Sequence, residues 1–438
     1  MPDGRPWAGR KLHLIGVGGA GMSGWARVAL QLGAEVSGSD QADSAALDHL
    51  RELGAVVTVG HAAANVPAGA ELFHSTAIAD DNPERMIAGQ PSRPRAELLR
   101  ELTAMAKVIA VAGAHGKTTT SSMAAHALLA AGLEPGYLIG GALTTTGEHA
   151  DWGAGEWLVV EADESDRSML ALSVDIAVVL NIELDHHTTY GTFAELEAVF
   201  DQFRAGAPTC VVPAELAREG DVVFATGPVE LTGGGSRFAW RGHSVELAVP
   251  GVHNAQNAAA ALEACRLTGA DEAALVASLA TFGGAGRRFQ RLGVSAGGAV
   301  IVDDYAHHPT EVAATIAGAR SVGARRVVAC FQPHLFSRTA ELRQRFGAAL
   351  AAADVVVVTG IYGARENAAD FPGVSARQIA EAAVDNGCAS VAWMPTLEDA
   401  ERYLREELRA DDLLLAMGAG DIDGMARALV SAPLPEAG

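Results

Sequence analysis

The stretch Val111-Ala-Gly-Ala-His-Gly-Lys-Thr-Thr-Thr120 constrains this chain more than any other. It follows an apolar, β-branched run, Lys107-Val-Ile-Ala-Val-Ala112, and precedes a helix-forming stretch, Ser121 to Ala131. A strand that turns through glycines into a helix aims backbone N–H groups at one point. The helix dipole adds partial positive charge there, so the point suits a polyphosphate. Lys117 is placed to reach the β- and γ-phosphates, and the Thr118 hydroxyl to ligate Mg²⁺. Gly113, His115, Gly116 and Thr119 complete the turn as candidate nucleotide contacts. The strict GxxxxGK[ST] pattern is not met, because position 111 is Val, so an ordinary strand-to-helix turn is the competing reading.

A chain of 438 residues exceeds one ordinary core and suggests about three domains. Its net charge of −21, from 53 acidic and 32 basic residues, argues against a nucleic-acid surface. Lysine occurs only at positions 11, 107 and 117, and one of the three sits in the glycine turn. The four cysteines are far apart with no CxxC pair, which disfavours a disulfide framework or zinc site and fits a reducing cytosol. The chain enters a strand-like segment at Lys11 without a signal-peptide pattern, and no apolar run approaches the ~20 residues of a membrane span. These features lead us to expect a soluble, cytoplasmic protein without membrane insertion; they leave both a monomer and a homodimer open.

Three units follow one another. The first opens with strand Leu12–Val17, the loop Gly16-Val-Gly-Gly-Ala-Gly-Met-Ser-Gly24, a helix to Leu32 and strand Glu35–Asp40. Gly16, Gly18 and Gly21 stand in GxGxxG register with an acid, Asp40, about 20 residues on, the pattern of a dinucleotide-binding βαβ unit. Apolar strands recur at Val56–Val59 and Leu72–Ser75, and this sheet ends near Met105. The second unit holds the phosphate turn, strands Trp157–Glu161, Ile176–Leu180 and Thr209–Val212, and helices Ala255–Leu267 and Asp271–Leu279. Residues 222–249 are glycine-rich and weakly patterned, with a small β-sheet as the candidate. Phe282-Gly-Gly-Ala-Gly286 reads as a hinge. A third unit alternates strand and helix: Ala299–Val302, Thr310–Ser321, Arg326–Phe331, Glu341–Ala353, Val355–Thr359 and Leu413–Met417. The expected class is α/β, with two doubly wound Rossmann-like domains, 1–105 and 283–438, flanking a central P-loop-type ATPase domain, 106–282.

Several clusters lie at expected carboxyl ends of strands, where open α/β sheets bind ligands. Glu161-Ala-Asp-Glu-Ser-Asp166 puts four acids in six residues, enough to hold Mg²⁺ beside phosphates, although a solvated acidic loop is as common. Asn181-Ile-Glu-Leu-Asp-His-His187 ends the next strand and offers His186 to the same metal. His253-Asn-Ala-Gln-Asn257 opens a helix with amides for a base or phosphate, or simply caps it. Arg287-Arg-Phe289 could swing a cation onto phosphate. Asp303-Asp-Tyr-Ala-His-His-Pro-Thr-Glu311 and Phe331-Gln-Pro-His-Leu-Phe-Ser-Arg338 each follow a strand of the third unit.

Taken together and in order, these motifs resemble those of the Mur ligase family, from Gly16 to Gly420. The resemblance implies ATP-dependent amide-bond synthesis: ATP phosphorylates the lactyl carboxylate of UDP-N-acetylmuramate, and L-alanine attacks the acyl phosphate. It implies ATP and Mg²⁺ as cofactors, with Thr118, Glu161 and His186 organising the metal and Lys117 the γ-phosphate. Asn254, Asn257, Arg288 and Asp304 are implied on the nucleotide. Tyr305, His307, His334 and Arg338 would face the reaction centre and the amino acid, in a domain that closes on ATP. It also reassigns the first unit: the loop at Gly18, Gly19, Ala20 and Gly21, with Asp40, His61, Ser75 and Thr76, would receive the UDP-sugar rather than NAD.

The resemblance departs at three places: Ala114 where the family usually has Thr, Thr188 where it usually has Asp, and Leu335 where it usually has Arg. Competing functions are a recycling ligase that attaches a tripeptide, a non-catalytic paralogue, and an NAD-dependent oxidoreductase, which would use the first unit alone.

Overall fold

The structure, a computed structural model, describes residues 5–433 apart from 88, 185–188 and 365, and of Ala20 the backbone alone. His186 and Thr188 therefore lie outside the described residues. The first sheet is wholly parallel, with Lys11–Ile15 at its centre. Glu35–Asp40 and Val56–Val59 lie to one side; Glu71–His74 and the short Arg93–Pro94 lie to the other. Strand order reverses beside Lys11–Ile15, so the crevice at its carboxyl end is the place for a ligand. This strand is buried after its first residue, which is why it reads as an apolar run rather than an alternation.

The second sheet has seven strands, with Lys107–Ala112 between Trp157–Glu161 and Ile176–Val179. Thr209–Pro213 and Val222–Phe224 extend one side; Gly136–Leu138 and the antiparallel Ala150–Asp151 extend the other. One hydrophobic core runs under both sheets, joining Leu12, Val28 and Phe73 to Val108, Val160 and Phe200. Helix Ala20–Gln31 of the first sheet docks on the edge of the second. Arg27 pairs with Glu148 at 2.9 Å, and Gln31 donates to Asp151 at 2.5 Å. Residues up to 225 together with 257–279 accordingly form one compact unit, and 226–256 with 280–438 a second. The border expected at 105 falls inside the first unit, and that at 282 just inside the second.

In the second unit the weakly patterned region resolves into an antiparallel sheet of Glu230–Leu231, Ser236–Trp240 and His243–Leu247. Arg241 and Gly242, both at positive φ, make its two-residue turn, which matches strand twist. Alternate burial puts Phe238, Trp240, Val245 and Leu247 inward. The third large sheet runs Gln290–Val294, Val300–Asp304, Asp412–Met417, Arg326–Phe331, Val355–Val358, Val391–Trp393, parallel except for the first. Apolar clusters cover both of its faces. The sequence reading lacked its two edge strands and the helices Arg377–Asp385, Leu397–Glu407 and Ile422–Leu429. It also began helix Phe336–Leu350 five residues late, because that helix starts at Leu335 without a side-chain cap. Phe282 and Ala285 of the expected hinge are buried, so their apolar side chains pin this segment rather than leave it loose. All four cysteines are free and buried. Among the described residues no helix is long and apolar enough to cross a membrane.

Helices Phe336–Leu350 and Arg377–Asp385 approach closely at Gly347, where a Cβ would overlap Ala382 Cβ and lie 2.5 Å from its carbonyl carbon. Gly347→Ala gains about 1 kcal/mol of helix propensity but must push backbone aside, an overpacking cost of about 1–3 kcal/mol. We expect a net loss of stability with retained secondary structure, read as a lower urea midpoint at unchanged slope.

Candidate active site

The phosphate turn is built by the pairing of three strands. Lys107–Ala112 ends beside Ile176–Val179, and Asn181 just beyond the latter clamps the turn: its Oδ1 accepts from His115 N and its Nδ2 donates to His115 O, both at 3.0 Å. Gly116 sits at φ +86° as the residue before helix Lys117–Ala130, a conformation that favours glycine. A Cβ there would lie 2.5 Å from Asn257 Oδ1, so the expected amide does border the turn. No side chain caps this helix end, so its first N–H groups face outward as anion donors. His115 Nε2 lies 2.9 Å from Glu183.

Lys117 Nζ donates to Gly113 O at 2.6 Å and to both oxygens of Glu164 at 2.9 and 3.0 Å. Burial opposes the lysine charge, but Glu164, Asp163 and Glu161 outweigh it and raise its pKa. The acidic run is thus divided by task. Glu161 accepts from Thr118 Oγ1 at 3.1 Å and from Gly140 N; Glu164 holds Lys117; Asp166 and Asp163 pair with Arg95 at 2.6 and 3.5 Å. Burial opposes ionisation of Asp163, but Lys117 and Ser165 overcome it and lower its pKa. Thr118 and Glu161 therefore form the hard-oxygen pair that suits Mg²⁺.

In the first sheet, loops from four strand ends meet. Gly16 N and Val17 N donate to Ser39 O, Ser75 N to Ile15 O, and Gly60 N to Asp40 O. The glycine loop leads through Gly19 into helix Ala20–Gln31, again without a side-chain cap. Asp40 accepts from Gly18 N at 2.8 Å; it holds the loop's shape rather than standing clear for a ribose. A Cβ on Gly18 would lie 2.7 Å from Leu47 and 2.9 Å from Asp40, so the loop is closed against the sheet. Ser75 and the exposed Thr76 line the same edge, and His61 Nδ1 lies 2.9 Å from Ser39 Oγ.

In the third sheet the carboxyl edge gathers Tyr305, His307, His334 and Arg338. The Tyr305 and His307 rings lie 5.3 Å apart, His307 and His334 6.0 Å, and Arg338 Nη1 is 3.1 Å from His334 Nδ1. Tyr362, which the sequence did not single out, stacks on His334 at 6.0 Å. Arg288 lies over Tyr305 and 3.6 Å from Glu311. Its neighbour Arg287 is no swinging cation: it donates to Gly418 O and Gly420 O at 2.8 and 3.1 Å, with Asp303 at 3.3 Å. Asp304 was expected on the nucleotide, but its carboxylate accepts from Phe289 N, Ala306 N and Thr315, so it holds the turn. His308 and Glu311 form a capping box with Pro309 at the first helical position, which explains part of the titratable density of this motif. Asn254 spends its amide on Pro250 O at 2.7 Å.

Known proteins resemble this chain along nearly its whole length. The model described as "Mur ligase family, catalytic domain" matches residues 11–107, and "Mur ligase, glutamate ligase domain" matches 287–420. The UDP-N-acetylmuramate–L-alanine ligase of Acidithiobacillus ferrooxidans is 44% identical over 96% of this chain and 97% of its own. That of Halorhodospira halophila is 40% identical over 97% and 94%. The crystal structure of UDP-N-acetylmuramate–alanine ligase MurC from Thermotoga maritima superposes with a TM-score of 0.83 at 27% identity, covering 96% and 98%. A murein peptide ligase from Psychrobacter arcticus, 22% identical with a TM-score of 0.72 over 96% and 98%, shares the fold.

Asp303 gives a test of the third-sheet geometry. Its carboxylate is fully buried and accepts no hydrogen bond among the described residues; burial, only partly offset by Arg287, pushes its pKa up to about 6. The folded protein thus binds a proton there that the unfolded chain releases near 3.8. The stability it contributes is present below that value and is lost as pH rises through about 6. Relative to Asp303→Asn, the wild type should lose on the order of 1–3 kcal/mol between pH 4 and pH 7, measured by chemical denaturation of both proteins. A difference that does not change with pH would contradict the assignment.

Proposed function

The chain belongs to the Mur ligase family, and from that membership and the site geometry we infer that it is an ATP-dependent ligase. It joins L-alanine to the lactyl carboxylate of UDP-N-acetylmuramate, with release of ADP and phosphate, in peptidoglycan precursor synthesis. The observation that carries the chemistry is the uncapped helix end at Gly116, with Lys117, Thr118 and Glu161 gathered beside it.

A free carboxylate is a poor acyl donor, whereas an acyl phosphate carries a good leaving group. The protein's task is to bring two anions, a carboxylate and a γ-phosphate, into line and to offset their charge. The first N–H groups of helix Lys117–Ala130 and the Lys117 ammonium supply that offset. Thr118 Oγ1 and the Glu161 carboxylate, 3.1 Å apart, fit Mg²⁺, which when bound would neutralise phosphate charge; the resemblance adds His186. A lactyl carboxylate oxygen attacks the γ-phosphorus and ADP leaves. The alanine amine then attacks the acyl carbon, and the tetrahedral intermediate expels phosphate.

The first-sheet crevice, with Gly18 to Gly21, His61, Ser75 and Thr76, takes the UDP-sugar, and Asp40 and Gly18 keep its loop in shape. Tyr305, His307, His334 and Arg338 take the amino acid, with Arg338 the cation for its carboxylate.

Two measurements test this reading. Purified protein with ATP, Mg²⁺, UDP-N-acetylmuramate and single amino acids should release phosphate only when alanine or a close analogue is present. Release with tripeptide alone would identify the recycling reaction instead, and release with none of them would remove the ligase assignment. Lys117→Ala should lower kcat by at least ~10²-fold, the scale of losing a positioned transition-state charge, while sugar-nucleotide binding by calorimetry stays intact. Loss of both would show that the two sheets do not divide the substrates as described.

A further inference from the structure

Glu84 lies in the loop after strand Glu71–His74, and no sequence pattern drew attention to it. Its side chain is fully buried, yet it is an ion with a complete set of partners. Oε1 accepts from Ala62 N at 3.0 Å and Asn65 Nδ2 at 2.8 Å; Oε2 accepts from Ser39 Oγ at 2.5 Å and faces His13 Nε2 at 3.3 Å. Burial opposes its charge, but these four hydrogen bonds prevail and hold its pKa near 2. A buried carboxylate is costly to assemble and seldom justified by stability alone. Its partners come from three different segments and Glu84 itself from a fourth, so it is the joint of the crevice rather than of any one element.

The joint ends on the side chain expected to meet the ligand. Ser39 has one hydroxyl proton, and it goes to Glu84. Ser39 Oγ must therefore accept from His61, which fixes the proton on His61 Nδ1 and the plane of the ring. Glu84 Oε2 itself stands 3.7 Å from that nitrogen, an anion behind the imidazole. His61 Nε2 makes no hydrogen bond among the described residues and is left for a ligand. The Ser39 carbonyl meanwhile accepts from Gly16 N and Val17 N, so one residue ties the glycine loop and the histidine to the same buried charge.

We propose that Glu84, acting through Ser39, is a positioning residue that holds His61 and the glycine loop in the geometry that receives the pyrophosphate of the sugar nucleotide. A carboxylate two hydrogen bonds behind an imidazole fixes the plane of the ring and hence the direction of its Nε2. This rests on the reading of the first-sheet crevice as the UDP-sugar site.

The test is direct binding, independent of turnover, of UDP-N-acetylmuramate, UDP and uridine to the wild type, His61→Ala, Glu84→Gln, Ser39→Ala and the double variant His61→Ala/Glu84→Gln. Glu84→Gln should weaken both pyrophosphate ligands by roughly 10–100-fold, the scale of losing a charged hydrogen-bond partner, and leave uridine binding unchanged. The double variant should bind no more weakly than His61→Ala, because Glu84 acts through that ring. In turnover, KM for the sugar nucleotide should rise while kcat and KM for ATP hold. If Glu84→Gln does not fold, Ser39→Ala breaks the same relay and should give the same split. Equal weakening of uridine, or additive losses in the double variant, would reduce Glu84 to a structural residue and overturn the proposal. Failure of the wild type to bind UDP-N-acetylmuramate would instead remove the reading of the crevice.

Discussion

The candidate site depends on the parallel register of Lys107–Ala112 with its two neighbours. Val111 pairs with Glu161 on one side and Ala112 with Val179 on the other. Parallel strands end at the same edge, so the glycine turn, the Asn181 clamp and the Glu161 carboxylate arrive within a few ångströms without any further device. A slip of one residue would send Glu161 to the opposite face and leave Thr118 without its partner. The same rule works in the other two large sheets. In the first it gathers the glycine loop, Ser39, His61 and Ser75; in the third it gathers Tyr305, His307, His334 and the Gly418–Gly420 turn. Burial on both faces fixes each register at the central strands, which are buried along nearly their whole length.

The same burial explains what could be read from the sequence. Strands covered on both sides appear as unbroken apolar runs, so Lys107–Ala112, Ile176–Val179, Arg326–Phe331 and Asp412–Met417 were legible, as were the glycine turns between them and the following helices. The edge strands Gln290–Val294 and Val391–Trp393 are half-exposed and short, and their composition carries no comparable signal. At the site, residue types were legible but not their division of labour. Glu161, Asp163, Glu164 and Asp166 look alike in sequence; whether each meets Thr118, Lys117 or Arg95 is decided by the curl of the chain after the strand. Asp304 and His308 were equally indistinguishable from reacting groups, because capping and turn-holding use the same side chains as chemistry. Glu84 and Tyr362 lie in loops with no motif around them, and only the fold brings them to the strand ends.

Some backbone strain lies at the third sheet's edge. Arg287, Phe289 and Leu335 all hold positive φ, a conformation that costs a non-glycine residue of order 1–3 kcal/mol. The surrounding bonds over-determine it. Arg287 is fixed by two carbonyls and Asp303, the Phe289 amide by Asp304, and Leu335 by its amide bond to Tyr362 O and its burial. Each strained residue adjoins a group aimed at the crevice: Arg288 lies between the first two, and His334 precedes the third. Leu335 stands where the resemblance leads one to expect Arg, so this chain has an apolar side chain rather than a second cation beside His334.

The contact between Lys117 and Glu164 has a consequence for how ligands compete. A lysine already matched by a carboxylate is not a bare positive spot that gathers whatever anion diffuses past. A phosphate oxygen reaching Lys117 must exchange with Glu164, so arrival is closer to ion exchange than to simple attraction. Single small anions, with little besides charge to offer, gain little from that exchange. A nucleotide brings additional contacts along its length and can win the exchange.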